Sequence, residues 1–189
     1  LYKTVRGVDF YKKIFDLIGQ QPNIEFVEAN ISTFYESKEG VEVQTNIGNF
    51  YAEKLFNSLY NPNIVASQSK YPLVQQHFIG WFIKSKEAVF TPETATFMDF
   101  SINQKGNTRF MYVLPTSETE ALIEYTLFSP TVLKKEEYET EIVNYIEDLG
   151  ISEYEIVDTE RGNIPMTCYP FWKHNTQNVL NIGSAGGWT

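Results

Sequence analysis

Between Leu73 and Ser129 the chain carries four runs rich in aromatic and β-branched residues, and this stretch limits the fold more than any other. Leu73–Ile83 is the longest. Phe97–Ile102 and Arg109–Leu114 flank a turn at Gln104–Asn107 and read as a hairpin, and Pro115–Glu118 then turns the chain into Ala121–Ser129. Strands joined by such short turns pair antiparallel, so the last three predict a meander, with Leu73–Ile83 in the same sheet.

Helices are expected on either side. Tyr138, Ile142, Tyr145, Ile146 and Leu149 recur on one helical face, while Glu136, Glu137, Glu139, Glu141 and Glu147 fall mostly elsewhere. Gly150 is placed to end that helix. Asp9 is placed to cap a first helix running to about Gly19, with Phe10, Ile14, Leu17 and Ile18 at helical spacing. Short strands are expected at Ile24–Ala29, Ile31–Ser37 and Val41–Thr45, with turns at Glu39-Gly40 and Asn46–Gly48. Lys54–Leu59 predicts one more, closed by Asn61-Pro62-Asn63, and Ala66–Pro72 reads as a linker. Later, Glu153–Thr159 reads as a strand and Arg161–Pro165 as a turn. Val179–Ile182 predicts a short buried strand that runs into Gly183-Ser184-Ala185-Gly186-Gly187. The expected class is α+β, with a largely antiparallel sheet.

Composition excludes several functions. The net charge of −9 gives none of the basic footprint that broad nucleic-acid binding requires. The acidity is local: Ser117–Glu160 holds 13 acidic residues against Lys134 and Lys135. A solvated helix face with polar strand positions accounts for it. Cys168 is the only cysteine, so no internal disulfide forms; it reads as a small buried hydrophobe. His77 and His174 have no ligand-spaced neighbours, so no metal site is expected. No apolar run approaches the roughly 20 residues of a membrane-spanning helix. The chain starts without Met and stops at the glycine turn, which predicts a piece of a longer protein.

Two carboxylates and two short segments are candidates for chemistry. In Ala121–Phe128, alternation puts Leu122, Glu124, Thr126 and Phe128 on one face. If that face is covered, Glu124 loses solvation, its pKa rises and it suits a general acid; if not, it is a surface carboxylate. Asp99, with Phe97 and Ser101 expected on its face, is a second acid, a partner of Arg109 across the hairpin, or a strand-end hydrogen bonder. The strand-to-glycine turn, with Gly183, Ala185, Gly186 and Gly187, fits either phosphate binding or a tight strand–helix connection. Arg6 either holds an anionic cofactor group or pairs with a surface carboxylate. No GxGxxG occurs anywhere.

A set of motifs in order narrows this: VRGVDFY at Val5–Tyr11, QHFIGWFI at Gln76–Ile83, FMDF at Phe97–Phe100 and RFMYVLPTS at Arg109–Ser117. ALIEYTLFS at Ala121–Ser129, GNIPM at Gly162–Met166 and NIGSAGGWT at Asn181–Thr189 complete it. Together they resemble the bacterial lycopene cyclases, relatives of flavin monooxygenases and geranylgeranyl reductases. The resemblance implies an FAD domain interrupted by a sheet-rich substrate domain. Residues 1–65 and 171–189 would belong to the first, and residues 66–170 to the second. The family's glycine-fingerprint unit and its C-terminal continuation have no counterpart here, so no FAD binding is expected of this chain alone. The implied reaction folds linear lycopene ends into β-ionone rings by acid–base chemistry, without net redox change, using FAD reduced through NADPH. IEYT matches the family's catalytic glutamate motif, which would make Glu124 the general acid–base residue or a cation stabiliser; Asp99 stays a second catalytic candidate. Gly183, Ala185, Gly186, Gly187 and Arg6 become candidate cofactor contacts. The resemblance further implies a carotenoid substrate and a cytoplasmic enzyme peripheral to the inner membrane. A flavin-dependent prenyl reductase or aromatic hydroxylase, or a non-enzymatic carrier of apolar ligands, are the other readings.

Overall fold

Alternating side chains, buried on both sides of one strand, organise the larger part of the molecule. The computed structural model describes residues 5–188, so Thr189 at the end of the last motif lies outside the described residues. In chain order the elements are α1 (Gly7–Ile18), β1 (Ile31–Ser37), β2 (Gly40–Thr45), β3 (Gly48–Ala52), β4 (Leu55–Asn57), α2 (Pro62–Ala66) and β5 (Leu73–Ser85). There follow β6 (Thr96–Asp99), β7 (Arg109–Pro115), β8 (Glu120–Ser129), α3 (Lys135–Asp148) and β9 (Tyr154–Thr167). A 3₁₀ turn at Phe171–His174, β10 (Val179–Asn181) and α4 (Gly183–Gly186) complete it. The chain divides into two compact units, residues 1–55 with 177–179, and residues 56–176 with 180–189.

The larger unit is built on a five-stranded sheet in the order β6-β7-β8-β5-β9, antiparallel throughout. The expected meander is there, and so is the shared sheet with Leu73–Ile83. On one face Ile79, Trp81, Ile83, Met111, Val113, Ile123, Tyr125 and Leu127 pack against Tyr138, Ile142, Tyr145 and Ile146 of α3. This core explains why the acidic helix forms at all: its apolar stripe has a sheet to cover. Glu137 accepts a hydrogen bond from the Lys134 N–H at its start, and Gly150, at φ 77, turns the chain at its end.

β9 departs from expectation. It continues without a break through Arg161–Pro165, where a turn was expected, and pairs with β5 from Tyr154 to Thr167. Gly162 lies opposite Phe78, whose ring fills the space a side chain would take; an added Cβ would come within 2.3 Å of Phe78 Cζ. Pro165 is tolerated because β9 is an edge strand and needs no further donor there. Asn61-Pro62-Asn63 is not a strand end but a helix start: Asn61 Oδ1 accepts from the Asn63 N–H, and Pro62 opens α2.

In the smaller unit β1, β2 and β3 form an antiparallel meander. Its second turn begins β3, a strand the sequence did not suggest. Gly40, at φ 144, sits where a Cβ would come within 2.4 Å of the Ala52 carbonyl oxygen. Ile24–Ala29 forms no strand. α1 spans nearly the expected residues but starts from Arg6, with Asp9 in its first turn, and buries none of its side chains. β4 pairs with β10 in a two-stranded ladder.

Candidate functional site

The face of the sheet turned away from α3 holds the first candidate, Glu124. Here β8 presents Leu122, Glu124, Thr126 and Phe128, as the alternation requires. Glu124 stands opposite Tyr112 of β7 on one side and Gly80 of β5 on the other. Only 8% of Glu124 is exposed, which decides between its two readings: it is the covered carboxyl. Thr126 Oγ1 donates a 2.6 Å hydrogen bond to Glu124 Oε1.

Burial pushes the Glu124 carboxyl up to about 7; the Thr126 hydrogen bond opposes this, and the hydrogen bond and negative charge of Glu160 add to it. Tyr112 is raised in turn, mainly by burial and then by the Glu124 charge. Glu160 reaches the site from β9, across Gly80. A carboxyl titrating near neutrality holds its proton at a working pH and can still release it.

Aromatic rings cluster around Tyr112, the neighbour of Glu124 on β7. Tyr112 lies 5.2 Å, centroid to centroid, from both Phe97 and Phe110. Phe110 is 5.4 Å from Phe100 and 6.2 Å from Phe128. Such ring faces attract a cation. The arrangement therefore places a carboxyl with a raised pKa on the same sheet face as a group of aromatic rings.

Asp99 is elsewhere. Two residues lie between Thr96 and Asp99 where only Tyr112 lies between their partners Val113 and Met111, so β6 carries a bulge, with Met98 at φ 56. The bulge breaks the expected alternation with Phe97 and points Asp99 toward α3. There it accepts from Tyr145 Oη at 2.7 Å and from the Ser101 N–H at 2.9 Å. These bonds, Ser101 first and then Tyr145, hold its pKa down. Arg109 does not pair with it; the guanidinium donates to Tyr125 Oη and Asn107 Oδ1.

At the glycine turn, α4 forms a single helical turn. Gly183, at φ 53, has open space where a side chain would be. Ala185 is buried. Gly186 and Gly187 have packing reasons to be glycine: a Cβ would come within 2.5 Å of the Asn181 carbonyl oxygen and 2.6 Å of the Phe171 ring, respectively. Arg6 is exposed and lies 3.8 Å from Asp9. Cys168 is exposed, not buried as its type suggested, because it follows the end of β9 in a loop.

On the α3 side His77 is 1% exposed. Ser129 Oγ donates to the Thr131 carbonyl and accepts from His77 Nε2, while Tyr138 Oη donates to Nδ1. Burial first, and the Arg109 charge, keep this imidazole neutral, so it is a satisfied core histidine. No cluster able to hold a metal occurs among the described residues. Among those residues no helix is long and apolar enough to cross a membrane.

The family model described as lycopene cyclase protein matches residues 2–189. The chain belongs to that family. Its fold is shared with proteins of other descriptions. A geranylgeranyl bacteriochlorophyll reductase-like protein from Thermoplasma acidophilum superposes with a TM-score of 0.64 at 11% identity, over 95% of this chain and 47% of that one. The flavin-dependent brominase Bmp2 does so with a TM-score of 0.58 at 15% identity, over 97% of this chain and 49% of that one. The chain thus spans under half the length of either. No curated protein sequence matches it.

Sequence reasoning missed Glu160, Gly80 and the Phe78–Gly162 contact. Gly80 offered a signal, a lone glycine inside an apolar strand. Glu160 offered none, because its strand was expected to end before it.

Proposed function

We propose that this lycopene cyclase family chain supplies the substrate sheet of an enzyme that closes the linear ends of a carotenoid by acid–base chemistry, with Glu124 as the acid. The observation that supports it most is a buried carboxyl, raised to about 7, on a sheet face lined by aromatic rings. The terminal alkene takes the proton from Glu124. The internal double bond then attacks the resulting cation and forms the ring bond, and loss of a neighbouring proton leaves an isomer of the substrate. Tyr112 and Phe97 would offer ring faces to the cation along this path, with Phe110, 1% exposed, packed behind Tyr112.

The residues of the glycine turn fit a cofactor contact at Gly183, where the backbone is open to close approach. Gly183, with Ala185, Gly186 and Gly187 shaping the turn, would then hold part of an FAD. Reduced flavin, when bound, supplies electron density to a reaction that has no net redox change. The substrate is apolar and membrane-resident, so the complete enzyme would meet the membrane peripherally, through apolar surface.

The test is to express the complete enzyme and its Glu124→Gln variant in lycopene-accumulating bacteria and to separate the pigments. Glutamine keeps the size but removes the dissociable proton, so cyclised product should fall by at least about 10²-fold, the scale of a general acid–base group. Parental conversion by Glu124→Gln would overturn the assignment. Net reduction or hydroxylation of the pigment would point to another flavin chemistry, and binding without conversion to a carrier.

A further inference from the structure

Glu124 and Glu160 sit on strands that do not touch each other. β5 runs between β8 and β9, and Gly80 pairs with Glu124 on one side and with Glu160 on the other. A Cβ on Gly80 would lie 3.3 Å from Glu124 Cβ, 3.1 Å from Glu160 Cγ and 2.8 Å from Leu122 Cδ1. Any side chain here would occupy the space in which the two glutamates meet. With glycine, that space is left to the two glutamate side chains, which approach it from strands on either side. Two carboxyls brought together in this way can hydrogen-bond to each other only when they hold a proton between them.

We propose that Glu160 is the positioning partner of Glu124, the two carboxyls sharing one proton across Gly80 so that it stays on the aromatic face until the alkene takes it. This rests on the acid–base reading above. It also completes the balance of that reaction. The proton leaves a Glu124 oxygen for the terminal alkene carbon, and the internal π pair becomes the new carbon–carbon bond. A proton from the carbon beside the cation then returns to the carboxylate pair. One proton goes out and one comes back, with no oxidant, reductant or solvent proton consumed.

The surroundings isolate the pair. Tyr112 faces Glu124 from β7. On β8 the next acid of the same face is Glu120, 3.4 Å from Lys84 of β5. On β9 it is Asp158, whose Oδ1 accepts from the Thr159 N–H. Among the described residues no cation is among the groups that shift Glu124.

The test is the pH–rate profile of the complete, flavin-loaded enzyme acting on lycopene in liposomes. Activity that needs protonated Glu124 declines as pH rises through its pKa. Glu160→Gln removes the neighbouring charge and supplies an amide donor that favours ionised Glu124, so this limb should move down by at least about one pH unit. Glu160→Asp, with the charge on a shorter stem, should place it between the two. The readout is the position of the limb, not the height of the plateau. A Glu160→Gln limb that superimposes on the parent's, whether or not the rate falls, would overturn the pairing. Should that variant not fold, an unmoved limb in Glu160→Asp does the same. Inactive Glu124→Gln beside an unmoved Glu160 limb sinks the pairing alone; active Glu124→Gln sinks the acid–base reading itself.

Discussion

A carboxyl held protonated by burial should leave a mark on stability that is separable from activity. Glu124 titrates near 7 in the folded protein, against an ordinary 4.5. The folded state therefore keeps a proton that the unfolded chain releases, and stability falls as pH rises from about 4.5 to about 7, then levels off. At 1.36 kcal/mol per pH unit, that gap corresponds to about 3 kcal/mol, an upper figure because the carboxyl is coupled to Glu160. Glu124→Gln carries no such burden. Its stability should match the parent's near pH 4.5 and exceed it by up to about 3 kcal/mol at pH 8. His77, buried and neutral, tilts stability the opposite way, losing it as pH falls below the ordinary histidine value, but it does so equally in both proteins. The difference between the two curves therefore isolates Glu124. Urea unfolding followed by fluorescence measures it: Trp81, 6% exposed on β5, reports the sheet, whereas Trp172 and Trp188 are each 67% exposed. Parallel pH curves, or a variant less stable than the parent at pH 8, would refute the reasoning.

Gly162→Ala should lower stability by about 1–3 kcal/mol, because its Cβ forces the Phe78 ring off β9, and Phe78→Leu in the same chain should recover part of that in urea unfolding. Asp99→Asn should lower stability by about 1–2 kcal/mol through the weakened Tyr145 bond, while pigment conversion changes far less than in Glu124→Gln. Because the Asp99 pKa is held down, its contribution is present above the ordinary carboxylate value and disappears in acid, so the Asn variant and the parent should converge as pH falls.

What the sequence showed clearly was local. α3 and the β6–β7–β8 meander follow from periodicity, turn residues and a terminal glycine, all read within a dozen positions. Glu124's face followed from alternation, but its burial did not, because Tyr112 and Gly80 come from strands separate in sequence. Gly162 and Pro165 carry turn signals in a strand, and only the ring of Phe78 and an edge position explain them. At Asp99 one left-handed residue, Met98, reversed a face that strict alternation had assigned. Ile24–Ala29 has strand-like composition, and no neighbouring strand pairs with it in the structure.

β8 serves two masters at adjacent positions. Ile123 and Tyr125 anchor the packed core, and Glu124 between them points to the opposite face. A slip of one residue in its pairing would exchange these roles, driving a carboxyl into the core and a core ring out of it. If Glu124 is the acid proposed above, turnover would proofread the strand's alignment: a preparation that cyclises would have β8 correctly threaded. Loop engineering between β7 and β8 inherits this constraint. The Thr116 and Ser117 N–H groups close that connection onto the Glu120 carbonyl, so an odd-numbered insertion absorbed by the strand rather than by the loop would turn Glu124 away from the candidate site.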